Sequence, residues 1–247
     1  MQTLRRLLLI ALALFTVPAL ARAEEVRVAV AANFTDTARL IASAFEKKTG
    51  HTVTQSFGAS GQFYAQIKNG APFDVFLSAD AERPLRLEAE GLTVKGTRFV
   101  YAYGKLVLWS ADTRVDAKGA VLSKGALDKL AIADPAAAPY GVAAVETLTR
   151  LGLYDRLQAK IVKGGNIAQT YTFVATGAAE LGFVALSQVQ GKGGSSWRVP
   201  AHLYTPIDQQ AVLLSTSASN PAARAYMAFL RSPEAVKIIR SHGYEVR

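Results

Sequence analysis

Four places in this chain could do chemistry together: Asn33, Ser60, Tyr140 and the main chain at Asn166–Ile167. They lie far apart in sequence, but each sits where an apolar run gives way to a helical one. None is charged. Together they offer an amide, a hydroxyl, a phenol and main-chain N–H groups. A desolvated oxyanion needs such a set, because its oxygens are hydrogen-bonded without burying unpaired cations. A cation site would want clustered carboxylates, and a metal-cation site His or Cys. Each residue also has a plainer role open to it. Asn33 suits a helix cap, and Ser60 beside Gly61 suits a turn. Tyr140 between Pro139 and Gly141 suits packing, and Gly164-Gly165 suits a loose loop. The case for an anion rests on the combination.

The elements that would position these groups follow from periodicity. Val26, Val28 and Val30 alternate with Arg27 and Ala29 as a strand, and Asn33, Thr35 and Asp36 are helix-capping types before a helix over 35–48 ending at Gly50. Where a buried strand turns into a helix, orphan N–H groups and the helix dipole both favour negative charge. The unit recurs three times. Residues 51–57 lead through Gly58-Ala59-Ser60-Gly61 into a helix over 62–69. Residues 130–133 lead through Asp134–Gly141 into a helix over 142–151. Residues 157–162 lead through Gly164-Gly165-Asn166 into a helix over 167–176. Strands are also expected at 72–79, 99–103, 105–110, 181–186 and 203–214, with a loop at 191–196. Two closing helices begin at Asn220-Pro221 and Ser232-Pro233, each a cap followed by an N1 proline. Strands alternating with helices imply an α/β fold with mainly parallel sheets. The β-rich crossings near 102–105 and 203–208 imply two lobes around a cleft, 24–103 plus 206–247 and 104–205.

Composition narrows the classes. The 247 residues are half apolar and contain no cysteine, which excludes disulfide scaffolds and thiolate metal sites. Arg5 and Arg6, an apolar run over 7–15 and Ala21-Arg22-Ala23 read as a cleaved export signal peptide over 1–23, with a mature chain from Glu24. The formal charge of +9 falls to +6 (9 − 3) without Arg5, Arg6 and Arg22. That excess is spread out, so no nucleic-acid partner is expected. Catalysis has little support. His51, His202 and His242 are scattered, Gly58–Gly61 lacks the nucleophile-elbow spacing, and Gly191–Gly194 lacks the P-loop spacing. Asp74 and Asp80 read as local caps rather than a carboxylate pair. The chain is read as a binding protein, not an enzyme.

The stretches VAVAANFTDTARLIASAFEKKTG, SFGASGQFYAQIKNGAPFDVFLSAD, IADPAAAPYGVAAVETLTRLGLYD and AYMAFLRSPEAVKIIRSHGY resemble the periplasmic molybdate-binding proteins of ABC importers. The likeness spans essentially the whole mature chain. It implies a two-lobed periplasmic-binding-protein fold of type II kind, holding a tetrahedral dianion in the cleft by hydrogen bonds alone. By motif match the ligand positions are Asn33, Ser60, Tyr140 and the Ile167 N–H, with a main-chain contact from Ala32. These touch the oxyanion's oxygens and do not ligate the metal atom. Many relatives carry a ligand tyrosine where Ala185 stands, and the Tyr140 hydroxyl is expected to substitute for it. The expected ligand is molybdate or tungstate and the expected partner is an ABC importer permease, with no resident cofactor and a monomeric chain. Sulfate carries the same charge but is smaller. Rigid donors set for the larger ion leave some of its bonds unmade, at roughly 1–3 kcal/mol each. Another tetrahedral oxyanion, sulfate or phosphate, is the alternative; a monoprotonated phosphate would want a carboxylate acceptor, and the four turns offer none aimed at the site.

Overall fold

In the computed structural model, residues 23–124 and 127–247 are described; the expected signal peptide at 1–23 lies almost wholly outside them. Among the described residues ten strands form two five-stranded sheets. The first sheet contains β1 (Glu25–Ala31), β2 (Thr52–Gly58), β3 (Val75–Leu77), β4 (Phe99–Gly104) and β10 (Ile207–Leu213) in the order β2-β1-β3-β10-β4. The second contains β5 (Leu106–Ser110), β6 (Leu130–Ala133), β7 (Ile161–Gly164), β8 (Leu181–Ala185) and β9 (Ser195–Arg198) in the order β7-β6-β8-β5-β9. In each sheet a central strand pairs in parallel on both sides. The crossing strands pair antiparallel: β10 with β3 and β4, and β5 with β8 and β9. The chain leaves the first sheet after Gly104, enters the second at Leu106, and returns between Arg198 and Ile207.

The first lobe carries α1 (Thr35–Thr49), α2 (Ser60–Lys68), α3 (Glu82–Ala89), α9 (Pro221–Phe229) and α10 (Pro233–Ser241). The second carries α4 (Val121–Lys124), α5 (Pro139–Arg150), α6 (Tyr154–Leu157), α7 (Ile167–Ala175) and α8 (Leu186–Val189). Alternation along β1 explains its central place. Val26, Val28 and Val30 pack with Phe34, Ile41, Phe45 and Tyr226, while Ala29 packs on the other face with Phe63, Phe76 and Leu87. The second core gathers Leu106, Leu108, Ile132, Leu148 and Phe183. It also takes in Ala31, Ala32, Ala59 and Ala79 from the first lobe, so the lobes share an apolar layer at the turns.

Some local expectations change. Residues 191–196 were expected as loop, but Ser195–Arg198 adds an edge strand beside β5. The 142–151 helix starts at Pro139, because a proline at its first position leaves no N–H to satisfy and pre-sets φ. Asn220 and Ser232 do cap their helices, accepting from Ala223 N (3.1 Å) and Ala235 N (3.2 Å). Asn33, Thr35 and Asp36 do not cap α1: a 3-10 turn, Ala32–Phe34, intervenes, and α1 starts with no side-chain cap.

Asp74 belongs to the framework. It is buried at the base of β3 and accepts from Arg27 N and Ser217 Oγ, both at 2.6 Å, so it ties β1 to the segment before α9. Asp74→Ala strands two donors, the buried Ser217 hydroxyl and the part-buried Arg27 N–H. It is expected to lower unfolding stability by about 2–4 kcal/mol in a denaturant titration, without altering ligand recognition in the folded protein.

Candidate oxyanion site

The four strand-to-helix turns meet in one place. Ala32, Asn33, Ser60, Tyr140 and Ile167 line a single cavity of about 10 Å³, together with Ala31, Gly58, Ala59, Ala79, Ala138 and Pro139. The space suits one small ion or a water and no organic ligand. The residues that line it are buried: exposure is 4% at Asn33, 1% at Ser60 and Tyr140, 3% at Ile167 and 7% at Ala32.

The turns share an unusual residue choice. The N-cap positions of the 3-10 turn, α2 and α5 are Ala31, Ala59 and Ala138, and none has a side chain able to cap. Alanine is among the poorest N-caps, so the N–H groups of Ser60 in α2 and Tyr140 in α5, where Pro139 has none, are left for another acceptor, while that of Gly61 is taken by Ala137 O. At α7, Asn166 does cap, but it accepts from Gln169 N (3.0 Å) and leaves the earlier N–H of Ile167 free. The dipoles of these segments converge on the cavity with their positive ends.

Two hydroxyls complete the donor set. Ser60 Oγ accepts from Ala79 N–H at 2.9 Å, which fixes the oxygen and leaves its hydrogen to give. Tyr140 Oη accepts from Gln209 Nε2 at 3.4 Å. The polarity of that contact is set from behind. Gln209 is fully buried, and its Oε1 accepts from Asn33 Nδ2 (2.8 Å) and Tyr101 Oη (3.0 Å), so its amide nitrogen must face the phenol. Among the described residues no protein group accepts the Tyr140 hydrogen. Burial also pushes the Tyr140 phenol well above its ordinary pKa, so it stays a neutral donor.

Asn33 does more than line the cavity. Its Nδ2 reaches Gln209 Oε1 and, at 3.0 Å, Tyr244 Oη, while its carbonyl oxygen lies 2.7 Å from Tyr244 Oη and 3.0 Å from Ser187 Oγ. Its amide hydrogens are engaged by protein, and its main-chain N–H is the group left for an anion. Tyr101, Gln209, Tyr244 and Ser187 form this supporting layer and escaped the sequence reading. Gln209 left a signal, since two glutamines interrupt the apolar run of β10.

Among the described residues no carboxylate or cation lines the cavity. Asp80 is engaged by Arg83 through an ion pair, and among the described residues no group of three or more His, Cys, Asp and Glu could hold a metal ion. A larger cavity, about 580 Å³, lies at the opposite end of β1 beside Arg27 and Asp74. Asp74 and the capping Asn220 there already have partners within the fold.

The whole described core, residues 26–245, matches the family described as bacterial extracellular solute-binding protein. The chain is 61% identical over 226 residues to the molybdate-binding protein ModA of Rhodobacter capsulatus, covering 91% of this chain and 89% of that one. The solved structure of the Azotobacter vinelandii periplasmic molybdate-binding protein superposes with a TM-score of 0.87 at 45% identity, covering 90% of this chain and 99% of that one. The sulfate-binding protein SubI of Mycobacterium tuberculosis H37Rv shares the fold alone, with a TM-score of 0.72 at 16% identity over 90% of this chain and 86% of that one. An α/β fold of two lobes, four helix-start turns aimed at one small cavity and identity of this extent agree: the chain belongs to the bacterial extracellular solute-binding proteins and, among them, to the molybdate-binding protein family.

Proposed function

We propose that this protein captures molybdate, and tungstate equally, outside the cytoplasm and delivers it to the permease of an ABC importer. The observation that carries the reading is the uncharged cavity, lined by buried residues, where uncapped helix starts and two free hydroxyl hydrogens converge. A dianion there is held by the hydroxyls of Ser60 and Tyr140 and by the main-chain N–H groups of Ala32, Asn33 and Ile167. The protein's role is binding rather than catalysis, as in its named relatives. The export signal is removed after Ala23, and the monomer divides into lobes of 24–103 plus 206–247 and 104–205. The lack of a carboxylate in the lining disfavours monoprotonated phosphate. The donor set is rigid because each hydroxyl oxygen is anchored from behind, and rigidity lets size separate molybdate from sulfate.

Calorimetric titration of the chain from Glu24 tests this. Molybdate and tungstate are expected to bind tightly with one ion per chain, and sulfate in large excess is expected not to displace them. Displacement by sulfate at comparable concentration would move the assignment to that ion. No heat with any tetrahedral oxyanion would remove it.

A further inference from the structure

The segment 241–247 crosses from lobe to lobe over the hinge. Tyr103 N donates to Glu245 O (2.8 Å) and Glu245 N to Tyr103 O (3.3 Å), which adds the segment to the strand that leaves the first sheet. Lys105 Nζ pairs with Glu245 Oε1 at 2.9 Å, and the Arg247 guanidinium lies 4.4 Å from the Tyr103 ring centroid. On the other side, Gln190 Nε2 of the second lobe donates to Ser241 O at 3.2 Å. Between these anchors Tyr244 points inward. Its ring packs edge-on to Phe34, with centroids 5.1 Å apart, and its hydroxyl is buried. That hydroxyl lies 3.0 Å from Asn33 Nδ2, 2.7 Å from Asn33 O and 2.8 Å from Ser187 Oγ. Asn33 belongs to the first lobe and Ser187 to the second. Ser187 itself donates to Asn33 O at 3.0 Å, so the three residues form a closed triangle across the lobe boundary.

This triangle exists only when the lobes are together. Parting them removes Ser187 from both partners and leaves buried oxygens to find water or go unpaired. Closing them adds Ser187 to Asn33 O and to Tyr244 Oη, which holds Asn33 by its carbonyl and, through Tyr244, by its carboxamide, and so fixes the position of the residue whose N–H is left for the cavity. We propose that the segment 241–247 is a strap across the hinge, and that Tyr244 is a positioning residue through which lobe closure orients Asn33 for the anion. The orientation half of this proposal rests on the oxyanion reading above; the strap half does not.

Two variants test it. Tyr244→Phe keeps the buried ring and its packing and removes only the hydroxyl. Ser187→Ala removes the second lobe's corner of the triangle. The chain has no cysteine, so Ser43→Cys on α1 and Thr149→Cys on α5, both exposed, allow paired spin labels to report lobe separation. Both variants are expected to shift the label distances to longer values, with and without molybdate. They are expected to raise the molybdate dissociation rate about tenfold or more while the association rate stays within about twofold. Combining them should add little, since both break the same triangle. Unchanged label distances in both variants overturn the strap, whatever the parent binds. Longer distances with an unchanged dissociation rate overturn the orienting role of Tyr244. A parent that binds no oxyanion overturns the site reading and with it that role, while the label distances still decide the strap.

Discussion

Gly61→Leu is expected to weaken molybdate binding at least a hundredfold while leaving the ligand-free protein as stable as the parent or slightly more so. Gly61 is the second residue of α2, and its N–H donates across the cleft to Ala137 O at 2.9 Å. A Cβ there would sit 3.0 Å from Ala137 O and 3.1 Å from Ala137 Cα, both main-chain atoms of the opposite lobe, and 3.2 Å from Arg83 Nε. Alanine is already tight, and leucine cannot fit with the lobes together. With the lobes apart the position faces solvent at a helix start, where removing glycine favours the helix by up to about 1 kcal/mol. The two effects therefore have opposite signs. Calorimetry should show the loss of affinity, and a thermal melt without ligand should show a midpoint no lower than the parent's. A leucine variant that binds within tenfold of the parent would mean that the cleft need not close to this extent. The contrast also separates closure from folding, which a substitution at Ser60 cannot do, because Ser60 both anchors Ala79 and lines the cavity.

The groups that line the cavity were legible in sequence for a physical reason. A helix start that presents free N–H groups must lie just after a strand, so Asn33, Ser60, Tyr140 and Ile167 announce themselves by position as well as by type. The central strands were legible because both faces of β1 are buried, which writes a nearly continuous apolar run. What supports these groups was not legible. Gln209 lies 176 residues from Asn33 and Tyr244 lies 211 residues from it, and no local pattern encodes pairings of that span. The role of Asn33 was half read for the same reason. Its residue type suggests a cap, but the amide is drawn instead to Gln209 and Tyr244, partners that only the tertiary fold supplies. Alanine at three N-cap positions is the converse case. The sequence shows three unremarkable small residues, and their meaning appears only when the turns they open are seen to face one cavity.

Tyr140→Phe is expected to lower molybdate affinity ten- to a hundredfold, about 1.5–3 kcal/mol for one hydrogen bond to a charged acceptor. The fold should be unaffected, because the ring stays packed and Gln209 loses only a 3.4 Å contact. Gly104 shows how closely the hydroxyl is fitted: a Cβ at that hinge residue would overlap Tyr140 Oη and crowd Gln209 Nε2 at 2.9 Å. The pH profile identifies the kind of donor. Burial raises the Tyr140, Tyr101 and Tyr244 phenols above their ordinary pKa, so each remains protonated in the folded protein beyond the point where it ionises in the unfolded chain. A raised folded value contributes stability that is complete below the unfolded pKa of about 10 and is lost as pH climbs towards the folded one. Affinity should therefore be level from about pH 6 to about pH 9.5, and stability should decline only above about pH 10. Tyr140→Phe should show the same level profile at a lower affinity. A site held by histidine would instead lose affinity through about pH 6–7 as the imidazolium deprotonates. Titrations at pH 6, 8 and 9.5 on parent and variant decide between them. A fall in parent affinity within that range would show that an ionising cation, and not this set of neutral donors, holds the anion.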